Sequence, residues 1–395
     1  MSFTSATGFS VKKNAMKAIN EAFNKAKSQI QGEVSFVLVY FTIYYPVDEL
    51  ENAFQDVFQN IPNAGCSGEG VIGQNAIVEG NEPGVSITVF SGKKVNFYPQ
   101  IFENINNRNE EVGIEVSHWM RKKNKLKALI VLPDAVNCNF SFLKKGIEKD
   151  FNLFNRIPIL GGLAADDLDL KATYQLFNNK IFTNSVVSIA LCGKFKYGHV
   201  VNHGCVPSSD AMIVTKSENN IIYEINGKPA LDVIFDYSTI DESSNWGVVS
   251  INMCLAIKSP QEFRDQYDEY LIRFMVTCDT EKRSIGMSAN IQEGTEVWIA
   301  RRSLDKIDEG VISLATSVKN NLKNRRPLYI FHFDCGGRGR VIMDEDHKMR
   351  NLRFMQREVG ESIPWSGFYT YGEIAPVANE NCFHSYTAVL FYLYE

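Results

Sequence analysis

The stretch "GCSGEGVIG", Gly65 to Gly73, contains a G-x-G-x-x-G at Gly68, Gly70 and Gly73. In a dinucleotide-binding unit those glycines follow a buried strand and open a helix whose N-terminus holds a pyrophosphate. Neither flank fits. "QNIPNA" before it has a proline and no apolar run, and "QNAIVEGNEPGVSITVF" after it has turn glycines and a strand pattern without helical period. The stretch reads instead as a glycine-rich hook leading from one strand to the next.

Outward from the hook, residues 11 to 30 carry Val11, Ala15, Ala18, Ile19, Ala22, Phe23, Ala26 and Ile30 on one stripe, which predicts an amphipathic helix. A strand "VSFVLVYFT" (34 to 42), a helix from 46 to 59, the hook and a strand "VSITVF" (85 to 90) follow. That order returns as "LKALIVLP" (126 to 133), a helix at 139 to 152, the hook "GGLAADDL" (161 to 168) and "VVSIALCG" (186 to 193). It returns again as "PLYIFHFD" (327 to 334), a helix at 344 to 358, the hook "GFYTYGEI" (367 to 374) and "SYTAVLFYLY" (385 to 394). Aligned, the hooks read Gly65-CSGE-Gly70-Val71-Ile72, Gly161-GLAA-Asp166-Asp167-Leu168 and Gly367-FYTY-Gly372-Glu373-Ile374. The expected fold is α/β, with mixed β-sheets flanked by helices and a divergent strand-helix-hook-strand internal repeat. A β-rich tract between the second and third copies should be largely antiparallel, and the polar connector "DYSTIDESSNWG" (236 to 247) places a boundary between segments 1–240 and 241–395.

A chain of 395 residues exceeds what one hydrophobic core usually serves. Hydrophobic residues at 45% and charged residues at 22% leave no room for a large disordered region. A net charge of -5 gives no overall attraction to nucleic acid or to an anionic membrane, so neither is an expected partner. The N-terminus lacks an apolar signal core and no run of about eighteen apolar residues occurs, which suggests a cytoplasmic protein. Eight cysteines without C-x-x-C spacing suit buried thiols better than a disulfide framework or a zinc finger.

The hooks are the candidate chemistry. Glycine turns let backbone amides approach a ligand, and Asp167 and Glu373 bring carboxylates, so Cys66, Ser67, Gly161, Gly162, Asp166, Asp167, Tyr371, Gly372 and Glu373 form a possible binding floor. The same glycines are also explained by tight turns alone. In "HFDCGGRGR", Cys335 and Arg338 join the list of ligand-binding candidates; a phosphatase loop would need arginine six positions after the cysteine, where Val341 stands. Catalysis by Cys335 is the alternative in a different class, and a protein-binding adaptor a third. His199, Val201, His203 and Cys205 share parity on an extended strand, so zinc or haem could use them, with His203 the preferred haem ligand and His384 the second.

The hook "GCS", "GGLAADD" with "TYQLFNNKIF", "HGCVPSSDAMIVTKSENNIIYEINGKPAL", "FDCGGRG" and "GFYTYGEIAP…FHSYTAVL" together resemble FIST proteins, from about residue 35 to 395. The resemblance implies an N-terminal FIST domain in 1–240 and a C-terminal one in 241–395. It also implies a sensory module for a small ligand, amino acids among the proposed ones, with haem-based nitric-oxide sensing in some members. With no output domain in the sequence, it implies a stand-alone, non-enzymatic sensor signalling to a separate histidine kinase or cyclic-dinucleotide enzyme. Two positions depart from the family pattern: Val71 stands where a carboxylate is usual, and Ala165 where glycine is common.

Overall fold

The run Val34–Thr42 is buried along seven successive residues from Phe36, the mark of a strand covered on both faces. Its side chains divide by parity. Phe36, Leu38 and Tyr40 enter one core, and Val37, Val39 and Phe41 another. The whole molecule follows from three such strands.

The computed structural model describes residues 3–149, 156–240, 242, 243, 245–264, 266–323 and 325–395. A first unit contains β1 (Thr4–Ser10), α1 (Ala15–Lys27), β2 (Val34–Thr42), α2 (Val47–Phe58), β3 (Asn63–Gly68), the hairpin β4 (Gly70–Gly73) and β5 (Ala76–Glu79), and β6 (Val85–Ser91). The second contains β7 (Val95–Glu103), α3 (Asn109–Met120), β8 (Leu126–Pro133), α4 (Phe140–Glu148), β9 (Ile159–Gly162), the hairpin β10 (Gln175–Phe177) and β11 (Lys180–Phe182), and β12 (Ser185–Gly193). The third begins with β13 (Lys196–His203). After an insert it resumes with α5 (Leu304–Leu322), β14 (Pro327–Cys335), α6 (Glu345–Val359), β15 (Trp365–Thr370), the hairpin β16 (Glu373–Val377) and β17 (Glu380–His384), and β18 (Thr387–Tyr394).

Three six-stranded sheets share one plan, with orders β1-β6-β2-β3-β10-β11, β7-β12-β8-β9-β16-β17 and β13-β18-β14-β15-β4-β5. In each, the two central strands are parallel and joined through a helix, and the remaining pairs are antiparallel. The outer hairpin of every sheet comes from another unit, so that the first lends to the third, the third to the second and the second to the first. Inner faces meet in one core where Phe36, Leu38 and Tyr40 of β2, Ala128, Ile130 and Leu132 of β8, and Tyr329, Phe331 and Phe333 of β14 converge. Each outer face is covered by its own helix pair, α1 with α2, α3 with α4, and α5 with α6.

The β-rich tract is an insert within the third unit and is antiparallel as expected. Its strand Glu296–Arg302 pairs with Cys205–Pro207, Met212–Glu218 and Cys254–Lys258, so strands from both sides of residue 240 share one sheet. The connector at 236 to 247 takes in the end of the short helix Ala230–Tyr237 and the start of Trp246–Asn252, with residues 241 and 244 outside the described set. The insert has its own apolar core, and Ser303 N–H donates to Gly204 O at 2.8 Å where the chain enters and leaves it.

Two helices differ in extent from the periodicity. Asn14 accepts the Lys17 N–H at 3.0 Å and starts α1 there, leaving Val11 55% exposed. The helix expected at 139 to 152 runs from Phe140 to Glu148, and residues 150 to 152 lie outside the described set.

Candidate functional site

The hooks meet where the central parallel strands end. Glu69 N–H donates to Tyr369 O at 3.0 Å, Ala165 N–H to Ser67 O at 3.0 Å, and Tyr371 N–H to Leu163 O at 3.2 Å. These are the fifth and third residues of each hook, and the three bonds close a ring. Their first residues are the glycines 65, 161 and 367, and in each a Cβ would stand 1.7, 2.1 or 1.8 Å from the carbonyl oxygen of Val39, Val131 or His332 on the adjacent strand. Close strand approach therefore dictates these glycines.

Beyond the ring the second hook departs from the sequence alignment. Ile72 pairs with Gly367, Ile374 with Gly161, and Leu176 with Gly65, so the counterpart of Val71 and Glu373 is Gln175 rather than Asp167. An extension over residues 166 to 173 intervenes. Asp166 organises it, accepting N–H groups from Asp169, Leu170, Lys171 and Ala172 at 2.7 to 3.2 Å and the Tyr371 hydroxyl.

On one side of the ring is a charged cluster. Glu69 is fully buried; Arg340 Nε donates to its Oε1 at 2.5 Å and Arg340 Nη2 to Asp167, while Oε2 of Glu69 has no hydrogen-bond partner. Burial pushes the Glu69 carboxyl up to about 7 against the pull of Arg340. Glu79 accepts the Arg340 N–H at 2.8 Å and pairs with Lys348. Arg340 is the most exposed member, its side chain at 38%, and bridges the first hook to the extension of the second.

A second cluster lies deeper. Arg338, 1% exposed, donates through Nε to Asp334 at 2.8 Å, with Nη1 unpartnered, and a Cβ on Gly204 would sit 3.3 Å from that nitrogen. It faces the insert, so Arg340, not Arg338, reaches Asp167. Glu373 is fully buried, accepts from Thr370 Oγ1 at 2.5 Å and Thr387 N–H at 3.1 Å, and is pushed up to about 8 by burial. Cys335 sits between that carboxyl and the backbone N–H groups of Gly337 and Tyr386, and burial raises its thiol well above the ordinary range. The corresponding positions in the other units are oxygen acceptors: Thr42 takes the Gly84 N–H at 3.1 Å and Asp134 the Asn184 N–H at 2.7 Å. Each ties down the start of the last strand.

The remaining candidates are structural in their contacts. Cys66 is buried in β3 and paired across to Gln175, and Gly162 pairs with Glu373 and Gly372 N–H donates to Thr370 Oγ1 at 3.1 Å. Ser67 Oγ donates to Ala165 O at 2.7 Å and accepts the Tyr174 N–H at 3.0 Å. His203 is 1% exposed; Nδ1 accepts the Cys205 N–H at 3.1 Å and Nε2 faces Asp268 at 3.4 Å. Burial opposes its charged form, but Asp268 and Cys205 prevail and raise its pKa. His384 donates through Nε2 to Ala375 O at 3.0 Å. His384 Nδ1 has no hydrogen-bond partner, but both imidazoles are 1% exposed and packed against the Tyr267 ring at 5.4 and 5.2 Å between centroids, so these residues as placed do not fit a haem iron. Among the described residues no group of three or more His, Cys, Asp or Glu side chains is arranged to hold a metal ion.

Glu69, Glu79, Arg340 and Lys348 were not among the sequence candidates. Glu69 lies inside the first hook itself, between Gly68 and Gly70, and Arg340 five residues past Cys335. Reading each glycine turn as backbone only passes over both.

Two family models match the chain along most of its length. The FIST N domain matches residues 35–228 and the FIST C domain residues 230–376. The chain belongs to the FIST family, which is associated with sensory signal transduction. Similar proteins include an uncharacterized protein of Mycobacterium tuberculosis, 22% identical over 386 residues covering 96% of this chain and 97% of the relative. An uncharacterized protein of Methanocaldococcus jannaschii is 24% identical over 392 residues, covering 94% of this chain and 72% of its own. Among solved structures, T. maritima PurL complexed with FGAR aligns over 99% of this chain and 73% of its own at 10% identity, with a TM-score of 0.24. No helix among the described residues is long and apolar enough to cross a membrane.

Proposed function

We propose that the protein is a sensor that binds a small ionic ligand at the hook ring and signals to a separate protein, such as a histidine kinase or a cyclic-dinucleotide enzyme. The observation that carries this reading is Glu69, a fully buried carboxylate with one oxygen unpartnered, closed over by the half-exposed Arg340. A buried polar atom left unpaired costs about 1 to 3 kcal/mol, which a ligand group would recover. Arg340 suits a ligand carboxylate, and Glu69 with Asp167 suits an amine, so a zwitterion such as an amino acid matches the pair. Signalling would follow from Arg340 changing partners, because it ties the loop after β14 to the first hook and to the extension of the second.

Binding is favoured over catalysis by the state of Cys335. Its thiol is buried and held neutral, and its position serves in all three units to anchor a strand. Native mass spectrometry of freshly purified protein tests the reading. One small-molecule adduct per chain, lost in Arg340→Ala, is expected; an adduct retained unchanged in that variant would remove the hook ring from the site.

A further inference from the structure

At the opposite end from the hooks, three turns are joined through their backbones. Lys194 N–H donates to Lys94 O at 2.9 Å and Gly193 N–H to Lys125 O at 3.0 Å. They enclose a depression of about 550 Å³ lined by Lys125, Lys127, Lys194 and Lys196, with Leu126 and Phe195 beneath and Glu395 at the rim. All four lysines are exposed. Glu395 is already shared by Lys94 and by Arg326, the latter at 3.1 Å, and no carboxylate among the described residues pairs with any of the four. Four lysines unpaired with any carboxylate among the described residues thus line one depression, where the Glu395 carboxylate is already engaged by Lys94 and Arg326, on a protein whose net charge is -5.

The geometry points to a second binding site here, for a compact polyphosphate such as the tail of a nucleoside triphosphate. Lysine recognises phosphate as a point charge from a flexible stem, so several lysines around a concavity suit a ligand with charge spread over successive phosphates. The volume lies within the usual range for small-molecule sites. A long polyanion is disfavoured, because beyond the depression it would meet the surface of a net acidic chain.

Calorimetry with inorganic triphosphate and with ATP, at about 50 mM salt where charges are little screened, tests this. The intact protein is expected to bind each at one site, with affinity falling steeply as salt rises. Lys125→Glu combined with Lys194→Glu should weaken binding at least tenfold while leaving the melting temperature in place, and Arg340→Ala should bind triphosphate as the intact protein does. Absence of binding to both probes, equal affinity in the double variant, or tighter binding to duplex DNA or anionic vesicles than to triphosphate would overturn the assignment.

Discussion

Gly65 has a neighbouring carbonyl oxygen only 1.7 Å from where its Cβ would be, and that oxygen belongs to the backbone of β2. Neither strand can yield without disturbing the central core. Gly65→Ala is therefore expected to destabilise the fold by more than about 3 kcal/mol, read by denaturant unfolding. An alanine variant within about 0.5 kcal/mol of the parent would show the hook to be loose. Glu373 makes a second test at this scale. Its carboxyl titrates at about 8 in the fold, against about 4.3 in an unfolded chain. The sign follows: the protonated form is the one the fold favours, so this contribution is full below about pH 4.3 and is lost as pH rises towards 8. Glu373→Gln keeps a neutral acceptor there. Its stability relative to the parent should improve as pH is raised from about 5 to 8, by up to about 1.4 kcal/mol per pH unit; a difference independent of pH would mean that Glu373 is ionised throughout.

Single elements show what their local sequence could and could not disclose. The three central strands were legible because each is apolar on both faces, and the hooks because glycine recurs at one place after each helix. Asp167 was misaligned with Glu373 since nothing local marks residues 166 to 173 as an addition; the register appears only when Leu176 is seen opposite Gly65. Helix α5 carries a readable stripe of Ile307, Val311, Leu314 and Val318, yet it follows directly on the β-rich tract and lies outside the pattern of the repeat. Arg340 reaches across 173 residues to Asp167, a pairing that no spacing predicts. The extension itself hangs on one carboxylate. Asp166→Ala removes the acceptor for four backbone N–H groups, and amide hydrogen exchange over residues 167 to 173 should accelerate by about tenfold or more, with the rings of β-sheet unaffected. Unchanged protection there would assign the order of the extension to its other contacts.

Across the whole molecule, exchange of hairpins makes the three units interdependent. The third sheet takes β4 and β5 from the first unit, and the second takes β16 and β17 from the third. Segments 1–240 and 241–395, produced separately, would each expose sheet edges and carry only part of the insert's strands, and neither is expected to give a cooperative thermal transition; mixing them should be needed to recover one. A folded 1–240 segment alone would contradict this. The same interlocking explains how a ligand at the hooks could be felt at a distance, since the ring joins all three units through backbone bonds. The proposed ligand site is this ring, with Arg340 as its exposed charge. Isothermal titration of the twenty common amino acids, followed by the best binder against Arg340→Ala and His203→Ala, tests it most directly. Saturable binding at one site per chain, weakened at least tenfold by Arg340→Ala and little changed by His203→Ala, is the predicted result. No binding up to about 10 mM, or a dissociation constant that Arg340→Ala leaves unchanged, would contradict it.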